Sequence, residues 1–178
     1  DSLLGAYRFT RPNIKFDQRE AMELLMSFNK IDTTQLKNKE ISSFDILSQI
    51  MPPITIKYKT KLFKDDEKYE SSNNVLEIVA GNYVRGQMEK GIFGSGGKGL
   101  LQRICNYFGN MASADFVDNL QNIVTEYMKT SGYSVGISDL IADKNTNEKI
   151  AEAITKKKKD VKNLIDQTHL GIFENKTG

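Results

Sequence analysis

The chain has 178 residues, of which 39% are hydrophobic, and its formal net charge is +2. This length is enough for one domain or two small ones, with a buried core of modest size. The small net charge lacks the broad basic field of autonomous nucleic-acid binders, so any contact with a polyanion has to be local. The single cysteine, Cys105, excludes a disulfide scaffold and a cysteine-built zinc site, and it fits a reduced intracellular compartment. No apolar run has the length of a membrane span, and no signal peptide is visible.

The first third of the chain predicts two short helices joined by a polar connection. The first helix follows Asp17, a candidate N-cap, because apolar residues recur there at the spacing of one helical face. These residues are Ala21, Leu24, Leu25 and Phe28. The second helix is predicted from Ser43 to Gln49 and is ended by two prolines at positions 52 and 53. Polar residues 29–42 predict a surface connection between them.

The middle of the chain predicts three strands. Residues 54–61 alternate with period two, so their lysine side is expected to face solvent. Residues 65–74 predict a charged turn. Gly81 and Asn82 predict a tight hairpin between strands at residues 75–80 and 83–89, because both residues tolerate positive φ. These segments predict an α+β fold, in which a small antiparallel sheet has helices packed on one side.

The remainder of the chain predicts helices at residues 99–108, 112–131 and 145–166. Gly132 is expected to end the second of these helices, and Asp139 is expected to cap the next turn. The lysine run at residues 156–159 is typical of a solvated face, with nucleic-acid contact as the alternative. We therefore predict an α+β domain over residues 1–110 and a helical region over residues 111–178.

A glycine-rich loop after the hairpin contains Gly94-Ser95-Gly96-Gly97-Lys98-Gly99. A Walker A motif is excluded, because Ile92 stands where its first glycine belongs and Gly99 stands where its hydroxyl residue belongs. A dinucleotide fingerprint matches in letters, but that motif has to follow a strand of a parallel sheet, whereas this loop follows a predicted antiparallel hairpin. Neither pattern therefore explains the loop.

Several short segments keep a recognisable order along the chain. They are Asp-Ser-Leu-Leu-Gly at residues 1–5, Glu89-Lys90, Gly94-Ser95, Gly99-Leu100, Phe108-Gly109-Asn110 and Gly-Tyr-Ser-Val-Gly-Ile-Ser-Asp at residues 132–139. In this order and spacing the chain resembles the pore region of the largest subunit of multisubunit DNA-directed RNA polymerases, of the archaeal, eukaryotic and large-DNA-virus type. The octet at residues 132–139 is the most specific match. The opening and closing residues fit a fragment of a longer polypeptide.

The resemblance implies a wall of the secondary channel, through which nucleoside triphosphates enter and the 3′ end of a backtracked transcript leaves. The candidate channel-lining residues are Arg85, Glu89, Lys90, Gly94, Ser95, Gly96, Gly97 and Lys98. The candidate structural residues of the family motifs are Asp1, Leu3, Gly5, Gly132, Tyr133, Gly136 and Asp139. The helix at residues 145–166 would begin the funnel. A loop that merely packs against a neighbouring subunit remains the alternative to a channel lining.

The resemblance also implies that the chain belongs to a nucleotidyltransferase without performing its chemistry. The aspartate loop that binds the catalytic magnesium in this family is absent from the sequence, so we expect no catalytic residue, metal or cofactor in this segment. The expected partners are the second-largest subunit, the rest of the largest subunit, RNA or nucleotides in transit and a transcript cleavage factor, without a membrane. The expected location is the nucleus or cytoplasm, or a viral factory or virion if the source is viral.

Two other functions remain open from the sequence. One is a stand-alone interaction or scaffold domain, and the other is a small nucleotide-binding enzyme that uses the glycine-rich loop. A longer reading frame with the aspartate loop upstream would contradict the first of these functions. Saturable binding of ATP or NAD with a dissociation constant below about 100 μM would favour the second.

Overall fold

A computed structural model describes residues 1–94 and 99–172, which form two compact units at residues 1–132 and 133–178. The helices are α1 (Ser2–Phe9), α2 (Gln18–Leu24), α3 (Ser43–Ile50), α4 (Leu100–Ser131) and α5 (Lys144–His169), with short 3-10 turns at Thr33–Leu36 and Ile137–Leu140. The strands are β1 (Lys15–Phe16), β2 (Ile41–Ser42), β3 (Ile56–Lys59), β4 (Val75–Val79) and β5 (Asn82–Arg85). This arrangement confirms the predicted α+β class.

The strands form two antiparallel sheets. The larger sheet has the order β3-β4-β5, and the smaller sheet pairs β1 with β2. The three strands of the larger sheet were predicted, although β3 is shorter than expected, and its exposed lysines confirm which side faces solvent. Strands β1 and β2 have two residues each, which is too short for an alternating pattern to reveal them.

The hairpin between β4 and β5 is confirmed, but its predicted turn residues are wrong by one position. Val79 pairs with Asn82, so the two residues between them, Ala80 and Gly81, make the turn with φ values of 47° and 80°. Thr55 Oγ1 accepts a hydrogen bond from the Ala80 backbone N–H at 2.9 Å, which helps to hold this unusual conformation for an alanine. Asn82 is therefore the first residue of β5.

Strand β5 ends earlier than predicted, at Arg85. The next residue, Gly86, has a φ of 123°, and a Cβ atom built on it would lie 2.6 Å from the Leu76 Cα atom. Only glycine fits this close approach without moving the neighbouring strand. The chain consequently leaves the sheet here and continues outside regular secondary structure toward the glycine-rich loop.

Helices α2, α3, α4 and α5 lie close to their predicted positions, whereas α1 was not predicted. Asp17 caps α2 and Ser42 caps α3, and both helices begin with a capping box. The helical residues 100–131 are interrupted at Gly109, whose φ of 89° and ψ of 171° produce a kink, so the two predicted helices are present in α4 as two arms. The predicted domain boundary at residue 110 lies at this kink and remains a prediction.

The core of the first unit joins α1, the larger sheet and the second arm of α4. Phe9 is fully buried, and its ring packs against Phe16 and Tyr127 with centroid distances of 5.7 and 5.1 Å. At Gly5, a Cβ atom would lie 2.2 Å from Val124 Cγ1, so α1 approaches α4 more closely than any side chain allows. The glycine therefore sets the distance between these two helices.

The second unit differs from the first in the exposure of its residues. All its described residues, 133–172, are exposed. Helix α5 begins at the N-cap Asp143, whose carboxylate accepts a hydrogen bond from the Thr146 backbone N–H at 2.9 Å. An apolar stripe on α5 is about half exposed and contains Ile150, Ile154, Val161, Leu164 and Ile165. None of the helices among residues 1–94 and 99–172 is both long and apolar enough to cross a membrane.

Candidate functional site

The candidate site begins where the chain leaves β5 and turns toward the glycine-rich loop. Met88 and Ile92 are almost fully buried on either side of a short exposed turn. The Met88 backbone N–H donates to Thr10 Oγ1 at 2.7 Å, and the Leu100 N–H donates to the Ile92 carbonyl at 2.8 Å. These contacts fix both ends of the turn and bring the two ends of the loop together. The base of the loop is therefore attached firmly to the core.

Glu89 ties the turn to the end of β3. One oxygen of its carboxylate accepts a hydrogen bond from the Gly91 backbone N–H at 2.7 Å. The other oxygen accepts from the Lys61 backbone N–H at 3.2 Å. A Cβ atom on Gly91 would lie 2.5 Å from Glu89 Oε1, so glycine leaves room for the carboxylate in this position. Glu89 thus organises the turn and is not simply a negative charge on the surface.

Lys90 and Gly94 lie at the surface of the turn. Both residues are exposed, and Lys90 forms no ion pair with another residue among those that the structure describes. Lys90 consequently presents an ammonium group to solvent next to the glycine-rich loop. The remaining predicted residues of this group, Ser95, Gly96, Gly97 and Lys98, lie outside the described residues.

Arg85, also predicted to line the channel, lies inside the fold. Its relative exposure is 9%, its Nε donates to Glu77 Oε2 at 2.8 Å, and its Nη1 donates to the Ser72 carbonyl at 3.3 Å. The hydrogen bond from Arg85 holds the pKa of the Glu77 carboxyl below its usual value, and Lys57 acts in the same direction. Arg85 therefore connects two strands as part of an ion pair, and we leave it out of the proposed channel surface.

The motif residues near the start of the chain have packing roles. The Asp1 carbonyl accepts a hydrogen bond from the Gly5 N–H at 2.8 Å in the first turn of α1. Leu3 lies beside a half-open apolar cavity of about 180 Å³, whose lining also includes Phe93 and Leu101 on either side of the glycine-rich loop. The segment thus sets the position of α1 on α4 and forms part of a pocket beside the loop.

The octet motif at residues 132–139 contains the last residue of the first unit, Gly132, and the first seven residues of the second unit. In that unit, Gly132 ends α4 with a φ of 62°, and its carbonyl accepts a hydrogen bond from the Arg8 guanidinium. In the second unit, the Asp139 carboxylate accepts from the Gly136 backbone N–H at 3.0 Å, and Tyr133 is 56% exposed. Asp139 is thus the third residue of the 3-10 turn and stabilises it by accepting from the N–H of the N-cap Gly136, whereas it was predicted to be the cap itself.

Sequence reasoning missed a polar network that holds the segment before the loop. Asn73 Nδ2 donates to the Thr10 carbonyl at 3.1 Å, and Asn73 Oδ1 accepts from the Gly86 N–H at 3.1 Å. Gln87 Nε2 donates to the Tyr7 carbonyl at 3.0 Å. These partners are 13 to 80 positions apart in the chain, and no local pattern indicates such pairs. The network connects the end of α1 to the base of the site.

The geometry bears on two of the chemistries considered from the sequence. The loop follows β5 of an antiparallel sheet, so the dinucleotide pattern lacks the parallel strand that its chemistry needs, although α4 begins directly after the loop. Within residues 1–94 and 99–172, no group of three or more His, Cys, Asp or Glu side chains is placed to hold a metal ion. The described part of the site therefore offers one exposed ammonium group, a fixed carboxylate and backbone groups.

Comparison with known proteins identifies the family. Residues 1–140 match the family described as RNA polymerase Rpb1, domain 3. The chain belongs to this family. The match confirms the resemblance to the largest subunit of DNA-directed RNA polymerases that the ordered motifs indicated.

Individual relatives agree with this assignment. The chain is 30% identical over 162 residues to DNA-directed RNA polymerase subunit 1 of Acanthamoeba polyphaga mimivirus, a match that covers 90% of this chain and 10% of the relative. It is 25% identical to DNA-directed RNA polymerase II subunit RPB1-B of Trypanosoma brucei brucei, a match that covers 92% of this chain and 9% of the relative. It is 21% identical to subunit Rpo1N of Thermoplasma acidophilum, with 96% and 20% covered. The chain thus spans between 9% and 20% of the length of these relatives.

Proposed function

We propose that this Rpb1 domain 3 chain forms part of the wall of the secondary channel in a DNA-directed RNA polymerase. Nucleoside triphosphates would enter through this channel, and the 3′ end of a backtracked transcript would leave by it. The observation that carries the proposal is the exposed Lys90, which lies at the entry to the glycine-rich loop on a turn fixed by Glu89. A cation on a firmly attached turn can attract phosphate at a defined place on the wall.

The physical demands of a passage agree with this arrangement. Phosphate groups have to be attracted without being trapped, so one or two lysines at a glycine-rich loop suit transit better than a dense basic patch. Backbone N–H groups of glycine-rich segments can contact phosphate oxygens without selecting a base. Lys98, which is known only from the sequence, would add a second cation on the same loop. We propose no such role for Arg85, because it is buried and forms an ion pair with Glu77.

The chemistry of RNA synthesis would take place on other parts of the polymerase. Nucleotidyl transfer uses two metal ions held by clustered carboxylates, and we propose that residues outside this chain bind them. The other polymerase subunits, and the remainder of the largest subunit, would be the stable partners of this chain. A cleavage factor that acts through the channel would be a transient partner.

The exposed stripe of α5 supports a further part of the assignment. An amphipathic helix with about half of each apolar side chain exposed has to be covered before it is stable. We propose that α5 begins the funnel and that another helical segment of the subunit covers its apolar stripe. Lys156 and Lys159 would then remain on the solvent side of the helix, whereas Lys157 and Lys158 lie beside Ile154 and Val161 along the stripe.

The test is transcription by a reconstituted polymerase over a series of nucleotide concentrations. The double variant Lys90→Glu/Lys98→Glu should raise the apparent KM for nucleotides and leave kcat nearly unchanged, since it removes attraction of the substrate and not a group that reacts. The increase should be larger at low ionic strength, because salt screens exposed charges. The matched control is Lys37→Glu/Lys39→Glu, which makes the same change in net charge at two other exposed lysines.

Two results would separate channel lining from the alternative of subunit packing. An unchanged nucleotide dependence at both salt concentrations would show that the loop does not attract substrate. A loss of polymerase assembly in the loop variant, but not in the control, would show that the loop contacts a neighbouring subunit. Either result would replace the channel proposal for these residues.

A further inference from the structure

Strand β3 is an open edge of the larger sheet. The sheet order is β3-β4-β5, so β3 and β5 are its two edge strands. The β5 edge is covered by α3, since the Tyr83 backbone N–H donates to Ser48 Oγ on that helix at 2.8 Å. On the outer side of β3, no further strand is paired within the part of the chain that the structure describes. The two edges thus differ in whether their backbone groups have partners.

The pairing of β3 with β4 shows which backbone groups face outward. The Thr60 N–H donates to the Asn74 carbonyl at 2.9 Å, and the Ile54 carbonyl accepts from the Gly81 N–H at 3.0 Å. In an antiparallel strand, the backbone N–H and carbonyl groups of every second residue point to the same side. The backbone groups of the even-numbered residues of β3 therefore point to β4. The backbone N–H and carbonyl groups of Lys57 and Lys59 therefore point to the open edge.

The Glu89 carboxylate already binds the next backbone N–H that points to the open edge, which is that of Lys61. The Lys61 N–H, which has the same orientation as those of Lys57 and Lys59, donates to Glu89 Oε1 at 3.2 Å. An acidic side chain from the same fold thus completes the edge at one end. The backbone groups of Lys57 and Lys59 remain for a partner from outside.

The side chains around this edge indicate which partner fits. On the solvent face, Lys59 Nζ lies 4.4 Å from the Phe63 ring centroid and Lys57 Nζ lies 5.1 Å from the Tyr69 ring centroid, and both lysines are exposed. The rings hold the ammonium groups in place and leave N–H donors for an anion. On the inner face, Tyr58 is only partly buried, whereas its cross-strand neighbour Leu76 is fully buried.

We propose that β3 pairs with an extended segment of another polypeptide whose residues alternate acidic, apolar, acidic. Its backbone would bond to that of Lys57 and Lys59, its two carboxylates would lie beside the two ammonium groups, and its apolar residue would cover Tyr58. The proposal rests on the sheet edge and does not depend on the channel function.

Charge excludes a second copy of β3 as the partner. An antiparallel pairing of two such strands centred on Tyr58 would place Lys57 of one copy opposite Lys59 of the other, which is unfavourable. Single-stranded RNA is the rival, because it also uses lysines and aromatic rings. RNA makes no use of the row of backbone donors and acceptors, which favours a polypeptide strand as the partner.

The experiment titrates the 178-residue chain with two synthetic peptides and follows backbone amide signals by NMR. The acidic peptide is acetyl-Ser-Thr-Glu-Val-Glu-Thr-Ser-amide, and the basic peptide has lysines in place of both glutamates. The acidic peptide should slow hydrogen exchange at the Lys57 and Lys59 amides and should bind about tenfold more tightly than the basic peptide. A version of the acidic peptide that is N-methylated at the valine and at both glutamates should lose the protection, because it keeps both carboxylates but has no backbone N–H to donate to β3 in either strand direction.

Charge reversal provides the decisive comparison. Lys57→Glu/Lys59→Glu should invert the preference between the two peptides, whereas Lys37→Glu/Lys39→Glu should leave it unchanged. Lys59→Glu alone, which keeps the Lys57–Glu77 ion pair of 3.3 Å, is the second variant if the double variant is unfolded, and it should reduce the preference.

Three results would overturn the proposal. They are the absence of saturable binding of either peptide at millimolar concentration, a preference that charge reversal leaves unchanged, and tighter lysine-dependent binding of a uridine oligonucleotide. The last result would assign the surface to RNA instead of to a polypeptide strand.

Discussion

The two units of this Rpb1 domain 3 chain differ in what stabilises them. The first unit buries large side chains, among them Phe9 and Phe116, and connects distant segments by hydrogen bonds. The second unit has a long helix, α5, but every one of its described residues is exposed. The apolar residues of α5 lie at the spacing of one face, so the helix is suited to a neighbour.

The two units therefore obtain their stability from different interactions. Burial of apolar side chains stabilises the first unit from within. Local helical bonds and end caps stabilise α5 on its own, and these are weak for an isolated helix. Substitutions in the first unit should therefore lower the stability of the chain, whereas those on α5 should act mainly through its partner.

The largest effect is expected at Phe9, whose ring contacts Phe16 and Tyr127. Phe9→Ala should reduce the free energy of unfolding by about 3–5 kcal/mol, since it removes a buried ring and leaves a cavity. Urea unfolding followed by near-UV circular dichroism measures this change. The comparison is Ile154→Ala on the exposed stripe of α5, which should change the unfolding free energy by less than about 0.5 kcal/mol. Equal effects at the two positions would show that α5 is also packed within this chain.

The close approach of α1 to α4 should make Gly5 sensitive to a single methyl group. Gly5→Ala should reduce the free energy of unfolding by about 1–3 kcal/mol, because its Cβ would lie 2.2 Å from Val124 Cγ1. The control is Gly94→Ala, where the nearest atom lies at an ordinary contact distance of 3.4 Å. Thermal unfolding of both variants measures the difference. If Gly5→Ala is as stable as the control, the two helices are not held at this distance.

The hairpin turn should tolerate a branched side chain poorly. Gly81→Val should reduce the free energy of unfolding by about 1 kcal/mol or more, since a β-branched residue resists the positive φ at this position. Gly81→Asn is the comparison, because asparagine adopts positive φ more easily, and it should lose less stability. The melting temperatures of the two variants measure the order. An unchanged melting temperature for Gly81→Val would contradict the turn that Ala80 and Gly81 form.

A smaller effect is expected from the pH dependence of the Arg85–Glu77 ion pair. The Arg85 guanidinium lowers the pKa of Glu77 in the folded chain. The stabilisation from this ion pair is therefore fully present above the pKa that the Glu77 carboxyl has in the unfolded chain. It is lost as the pH falls through the lower pKa of this carboxyl in the folded chain. Glu77→Gln should make urea midpoints less dependent on pH between about 5 and 3 than in the unchanged chain. Parallel pH profiles for the two chains would show that this ion pair does not contribute.

The sequence predicted those parts of the fold that repeat locally. The apolar spacing after Asp17 located α2, the alternation at residues 54–61 located β3, and the glycine near residue 81 located the hairpin. Strands β1 and β2 were missed because two residues carry no periodic signal. The turn was assigned one residue late, because Ala80 has no intrinsic preference for positive φ and depends on Thr55, which lies just before β3.

The sequence motifs selected the candidate site, but they did not show the contacts that its residues make. Motif order selected the segment of Glu89 and Lys90 as a candidate and indicated the family, which the family match confirmed, while the role of the segment stays a prediction. The sequence could not show that Arg85 is buried against Glu77, since the pairing depends on the register of β4 and β5. Nor could it show that Glu89 binds the Lys61 N–H, because 28 positions separate the two residues. Contacts between distant segments decided these roles.

The measurement that tests the channel proposal most directly is crosslinking from residue 90 to a backtracked transcript. A photoreactive side chain is placed at Lys90 in a reconstituted polymerase, and the RNA is labelled at its 3′ end. The proposal predicts a labelled crosslink in backtracked complexes and none in complexes with the 3′ end in the active centre. The same group at Lys39 is the control and should give no crosslink in either state. Absence of a crosslink from position 90 in backtracked complexes, or equal crosslinking from both positions, would contradict the assignment of this loop to the channel wall.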